Sequence, residues 1–173
     1  MSKKIGVFYG SSTCYTEIVA EKIAEILGTE NVELLNIAHT PLDHALAYQY
    51  LIFGIPTWDF GELQEDWDEN WDDLDGLNLT GKYAAIFGLG DQVGYAKWFQ
   101  DGLGYLYFKL KSQGATMIGH WPNQDYDFED SQGLTDDKSH FLGLPLDEEN
   151  QPELSEQRIR SWLIQLTQEM QLN

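Results

Sequence analysis

The stretch Ile5-Gly6-Val7-Phe8-Tyr9-Gly10-Ser11-Ser12-Thr13-Cys14-Tyr15-Thr16 changes character at its midpoint. Ile5 to Tyr9 is an unbroken apolar run, which suits a strand covered on both faces. Gly10 to Thr16 then places five hydroxyl side chains in seven positions. From Thr16 the period becomes helical: Val19, Ile23, Ile26 and Leu27 share one face, Glu17, Glu21, Lys22 and Glu25 the other, and Gly28 is a stop. Strand, polar turn and helix therefore open the chain. Further strands are predicted at Val32 to Ile37, Tyr50 to Gly54 and Lys82 to Gly88. A short helix is expected around Leu42 to Tyr48, a longer one from Trp98 to Gln113 closed by Gly114, and a last one beginning near Ser155 as N-cap. Thr116 to Gly119 and Phe141 to Leu144 are short strand candidates separated by about twenty residues rich in Asp, Gly and aromatics. That segment, from about His120 to Lys138, reads as an insertion into a fifth strand. Alternating strands and helices predict a doubly wound five-stranded parallel sheet with helices on both faces.

A chain of 173 residues with 42% hydrophobic side chains supports one domain, spanning 1–173. Its 29 Asp and Glu against 10 Lys and Arg give a net charge of −19, which repels nucleic-acid phosphates and anionic lipid. The single cysteine, Cys14, forms no internal disulfide, and Ile5 to Tyr9 is too short for a signal peptide or a spanning helix. Cytoplasmic residence is the expectation. The four histidines, His39, His44, His120 and His140, are scattered, with no metal-ligand or triad spacing.

In an open parallel sheet ligands bind outside the carboxyl ends of the strands, so the loops after Tyr9, Gly54, Gly88 and Leu144 carry the site. The first, hydroxyl-rich and leading into a helix, suits a phosphate group or is an ordinary capped turn. No Lys or Arg lies between Gly10 and Glu21, which excludes a triphosphate loop ending in Gly-Lys-Ser/Thr. The second, Gly54 to Gly61, puts Trp58 on the rim; the third, Gly88 to Tyr95, puts Tyr95 beside it. Two aromatics on neighbouring loops clamp a flat ring, unless each folds back on the core.

At these residues the sequence resembles a flavodoxin of the long-chain subgroup, from Ile5 to the final helix. The turn Ser11-Ser12-Thr13-Cys14-Tyr15-Thr16 is similar to the family's phosphate loop. Thr57-Trp58 with Gly61-Glu62 resembles its second loop, and Gly90-Asp91-Gln92 with Tyr95 its third. Gly143-Leu144 and Leu146-Asp147 resemble the strand end near the ribityl chain, and the insertion resembles the subgroup's extra loop. Cys14 stands where many members have Gly.

The resemblance implies strand order 2-1-3-4-5 and non-covalent FMN as cofactor. It assigns the phosphate to Ser11, Ser12, Thr13, Cys14, Tyr15 and Thr16. The ring and its edge fall to Pro56, Thr57, Trp58, Asp59, Phe60, Gly61, Gly88, Leu89, Gly90, Asp91, Tyr95 and Asp147. It also implies that the peptide Asp59–Phe60 turns toward the ring, a movement that needs more energy without a glycine. No catalytic or metal-binding residue is expected. The implied role is a low-potential one-electron carrier, a monomer that works with basic partners such as a flavodoxin/ferredoxin-NADP reductase. The alternative is an FMN-dependent NAD(P)H:quinone-type oxidoreductase of the same fold, although no basic residue near the loops serves an NADPH phosphate. A phosphorylated receiver is weaker still, since Gly10 and Ser11 occupy the place of its acidic pair. Nine acids between Asp59 and Asp75, with no Lys or Arg among them, read as a solvated face and as a docking surface.

Overall fold

The structure, a computed structural model, describes residues 4–171. Strands β1 (Ile5–Tyr9), β2 (Val32–Asn36), β3 (Tyr50–Trp58) and β5 (Tyr83–Leu89) lie parallel in the order β2-β1-β3-β5. Helix α1 (Tyr15–Leu27) links the first two. Beyond β5 the fifth position is shared by two short strands, β6 (Thr116–Met117) and β9 (Leu144–Leu146), both paired parallel to β5. The insertion leaves between them and carries its own antiparallel pair, β7 (Trp121–Pro122) and β8 (His140–Phe141). The expected order 2-1-3-4-5 with an interrupted fifth strand is therefore the order found.

Successive strand residues face opposite sides, so each strand feeds two cores. Phe8, Leu51, Phe53, Ile55, Ala84 and Ile86 pack with Trp67 of α2 (Glu65–Asn70) and with Leu103, Leu106 and Leu110 of α3 (Asp101–Ser112). Val7, Ile52, Ala85 and Phe87 pack with Val19 and Ile23 of α1 and with Ile159, Trp162 and Leu166 of α4 (Pro152–Glu169). The insertion covers the end of α3: Phe99, Phe128 and Phe141 have ring centroids 5.3–5.8 Å apart. Its backbone sits so close that a Cβ on Gly104 would fall 2.1 Å from the Gln132 carbonyl oxygen.

Several boundaries differ from the sequence reading. The third strand does not end at Gly54: Ile55 and Pro56 pair with Gly88 and Leu89 of β5, and Thr57 and Trp58 pair with the two-residue antiparallel strand β4 (Glu62–Leu63). Leu42–Ala47 is a 3-10 turn. Helix α3 begins three residues after Trp98, because Gln100 takes a left-handed φ of 64° and its buried amide donates to the carbonyls of Gly88 and Leu146. Phe141 belongs to the insertion's hairpin, and the outer strand runs from Leu144. Ser155 does not cap the last helix; it is buried inside α4, which starts at Pro152. Proline has no N–H to leave unpaired and a φ already suited to a first helical turn.

Candidate functional site

Strand order reverses at β1 and β3, and there, at the carboxyl edge, the loops bound an open cleft of about 350 Å3. Its floor at one end is the turn after β1. The amides of Ser11, Ser12, Thr13 and Cys14 donate to no protein acceptor among the described residues. Cys14 adopts φ 70°, the left-handed region, at the N-cap of α1, with no side-chain cap bond. Successive free N–H groups that close on a left-handed residue at a helix N-terminus form a concave donor set for an anion. The buried Ser11 hydroxyl oxygen, also without a partner, adds to it. The exposed Ser12 hydroxyl accepts from Gln64, the exposed Thr13 and Tyr15 line the cleft, and Thr16 is buried beneath the turn.

One wall is the end of β3. Pro56, Thr57, half-buried Trp58 and Asp59 face the cleft. Because Trp58 pairs with Glu62, only Asp59, Phe60 and Gly61 make the connection, and Asp59 (φ 42°) and Gly61 (φ 85°) both take left-handed conformations to close it. Thr57 Oγ1 accepts from the Gly102 amide at 2.9 Å, which fixes this wall against α3.

The facing wall is Leu89, Gly90, Asp91 and Tyr95. Asp91 holds its own loop, accepting from Val93 N, Gly94 N and the Asn150 side chain at 2.7–3.1 Å. Partial burial pushes its carboxyl upward, but those three donors together outweigh burial and hold it below its usual value. The Asp59 carboxylate raises the Tyr95 hydroxyl above its usual value.

Ten of the expected residues thus line one cavity: Thr13, Tyr15, the run Pro56 to Asp59, the run Leu89 to Asp91, and Tyr95. Four do not. Phe60, 64% exposed, stands outside the rim, edge-on to Trp98 at 5.0 Å. Gly61 faces Asp101, and Gly88 is buried in β5 against Gln100. Asp147 is fully buried with its carboxylate turned inward, where it accepts from the Gln92 amide and side chain, Glu149 N, and both the amide and side chain of Asn150 at 2.8–3.1 Å. It therefore orders the loops, while Glu148 and Glu149 after it reach the cleft. Sequence reading passed over both glutamates and Gln64. The glutamates follow a strand end directly, the signal that marks the other loops. Nothing local marks Gln64.

A family model described as flavodoxin matches residues 7–162. The chain belongs to the flavodoxin family. It is 52% identical over 166 residues to flavodoxin 2 of Escherichia coli (strain K12), 96% of each chain. It is 46% identical over 172 residues to the flavodoxin of Nostoc sp. (strain PCC 7120 / SAG 25.82 / UTEX 2576), covering 99% of this chain and 100% of that one. The crystal structure of Fusobacterium nucleatum flavodoxin bound to flavin mononucleotide superposes with a TM-score of 0.90 at 30% identity, covering 97% of this chain and 99% of that one. In this flavodoxin four carboxylates, Asp59, Asp91, Glu148 and Glu149, line the cleft, and among the described residues no Lys or Arg does. Among the described residues no group of three His, Cys, Asp or Glu is placed to hold a metal ion, and no helix is long and apolar enough to cross a membrane.

Proposed function

We propose that this flavodoxin is a low-potential one-electron carrier that binds FMN non-covalently in the cleft. The observation that carries the reading is the pairing, in one cavity, of an unsatisfied donor turn with two aromatic walls and no cation. The donors suit a phosphomonoester: neutral N–H groups and hydroxyls from Ser11 to Tyr15 bind it without a Lys or Arg. Bound there, FMN supplies a ring that accepts and returns electrons singly. Trp58 and Tyr95 hold that ring and shield it from water, and Pro56, Thr57, Leu89 and Gly90 complete its bed. Asp59, already left-handed at φ 42°, positions the peptide to Phe60 at the ring's edge.

The carboxylates set the potential. Negative charge placed on the ring is opposed by Asp59, Asp91, Glu148 and Glu149, and no lining cation offsets them. Each repulsion of about 1.4 kcal/mol lowers a one-electron potential by roughly 59 mV, so several modest ones add to a large effect. The nine acids from Asp59 to Asp75 suit a basic reductase, such as a flavodoxin/ferredoxin-NADP reductase, and the net charge of −19 favours a monomer; cytoplasmic residence belongs to the same reading. Titration of the apo protein with FMN tests the reading. One equivalent should bind, with a shifted visible spectrum, and the complex should pass electrons from a basic reductase to a second redox protein. A colourless protein that ignores FMN ends it.

A further inference from the structure

Along the outer flank of α3, side chains that ordinarily seek a core stand in solvent. Tyr105 is 41% exposed and Phe108 56%. With Leu63, Trp71 and the stem of Lys109 they form a shallow groove of about 520 Å3. Scattered exposed apolar residues are ordinary, whereas two exposed aromatics gathered with half-buried Leu63 and Trp71 in one groove mark a contact surface. The groove adjoins the cleft: Leu63 pairs with Thr57, and its neighbour Glu62 pairs with Trp58. Phe60 and Trp98, 5.0 Å apart, extend the aromatic surface from the cleft mouth toward α3.

The groove lies in an acidic setting. Trp71 rises from a turn, Trp71–Gly76, that also bears exposed Asp72, Asp73 and Asp75. Among the described residues Lys109 is the one cation lining it, and Asp75 holds that ammonium at 2.7 Å while it lies 5.5 Å from the Trp71 ring centroid. An apolar centre with an acidic rim calls for a partner with the opposite rim.

We infer that this groove is a docking site for a basic redox protein, distinct from the ring edge. Such a partner seats an apolar side chain among Trp71, Tyr105 and Phe108 and sets Lys or Arg against Asp72 and Asp73. The inference rests on the carrier reading above. A second copy of this chain is the poorer occupant, because two bodies of charge −19 repel. The groove's six lining residues also fall far short of the roughly 20–30 that each side of a stable interface uses, which suits a transient encounter.

The test measures the Kd of the FMN-loaded protein for a basic flavoprotein reductase, with cytochrome c as a second basic probe. Wild type is compared with the double variant Tyr105→Ser, Phe108→Ser and with Ile164→Ser, which removes an equally exposed apolar side chain (64%) on α4, across the sheet. The double variant should bind both probes about tenfold more weakly, a shift of the size that loss of buried aromatic anchors produces. Ile164→Ser should match wild type, and all three should bind FMN equally and show one visible spectrum. Equal Kd values for wild type and the double variant overturn the inference. So does a wild-type dimer, seen by sedimentation, that the double variant dissociates, since the groove then belongs to a second copy. A wild type that binds no FMN overturns the carrier reading first and this one with it.

Discussion

The side-chain amide of Gln64 donates to the Ser12 hydroxyl across 2.9 Å, joining the turn after β1 to the segment after β3 over a separation of 52 residues. The same nitrogen donates to Asp66 at 2.8 Å, and its carbonyl oxygen accepts from the Trp67 amide. Gln64 is fully buried and lies against Gly10, where an added Cβ would meet its oxygen at 2.5 Å. The donor turn and the Trp58 wall therefore share one strut.

Gln64→Leu keeps the volume and removes the strut. Buried groups left unpaired lose about 1–3 kcal/mol of stability, so the urea midpoint of the apo protein should fall accordingly, and FMN should bind more weakly than to wild type. An unchanged midpoint would show that the strut is idle.

The orphaned Ser11 hydroxyl yields a second prediction. Hydrogen bonds to charged groups contribute about 1.5–3 kcal/mol, so Ser11→Ala and Thr13→Ala should each weaken FMN about tenfold and leave riboflavin, which lacks the phosphate, within twofold. Parallel losses for both ligands, read by fluorescence quenching, would place the phosphate elsewhere.

Cys14 explains itself through its backbone. A non-glycine residue held at φ 70° is strained by about 1 kcal/mol or more, so Cys14→Gly should stabilise the apo protein by about 1 kcal/mol and Cys14→Val should destabilise it. FMN binding and electron transfer should survive Cys14→Ala. Bound phosphate should also slow alkylation of this exposed thiol, because a nearby dianion opposes the thiolate.

Asp101 supplies a pH dependence. Burial pushes its carboxyl above the usual value, the Gln132 amide pulls the other way, and Asp130 adds to the rise. The folded state then holds the proton more tightly than the unfolded chain, so stability falls as pH climbs through the folded value. That loss is absent below the unfolded value of about 3.9 and complete once pH has passed the folded value. Asp101→Asn should raise the Tm at pH 7, with a gain that fades as pH approaches 4. A constant gain at every pH would point to packing instead.

The acidic flank should steer a basic partner at long range. Asp68, Glu69 and Asp72 are exposed, whereas Asp66 is engaged by Gln64. Neutralising the first three should slow association with a basic reductase at low salt and flatten its salt dependence, since charges beyond about 8 Å are screened at physiological ionic strength. Identical salt slopes would leave these residues as plain solvated surface.

What the amino-acid sequence determined by itself was whatever depends on neighbours along the chain. The apolar run Ile5 to Tyr9, the helical period from Val19 to Leu27 and the hydroxyl-rich turn between them are local patterns, and each forms where it was read. The broken fifth strand was legible in two short apolar runs set apart by a polar, aromatic segment, whereas strand order followed from the family resemblance. Contacts between distant segments decided the rest. Whether β3 stops at Gly54 or runs on to Trp58 depends on whether β5 and β4 are there to accept its hydrogen bonds. Asp147 turns inward because Gln92, 55 residues away, and Asn150 converge on its carboxylate, and a carboxyl group is buried only where enough donors meet it. Gln64 likewise acquires its role only when folding brings Ser12 within reach, because a side chain's partner across the sheet leaves no period in the sequence.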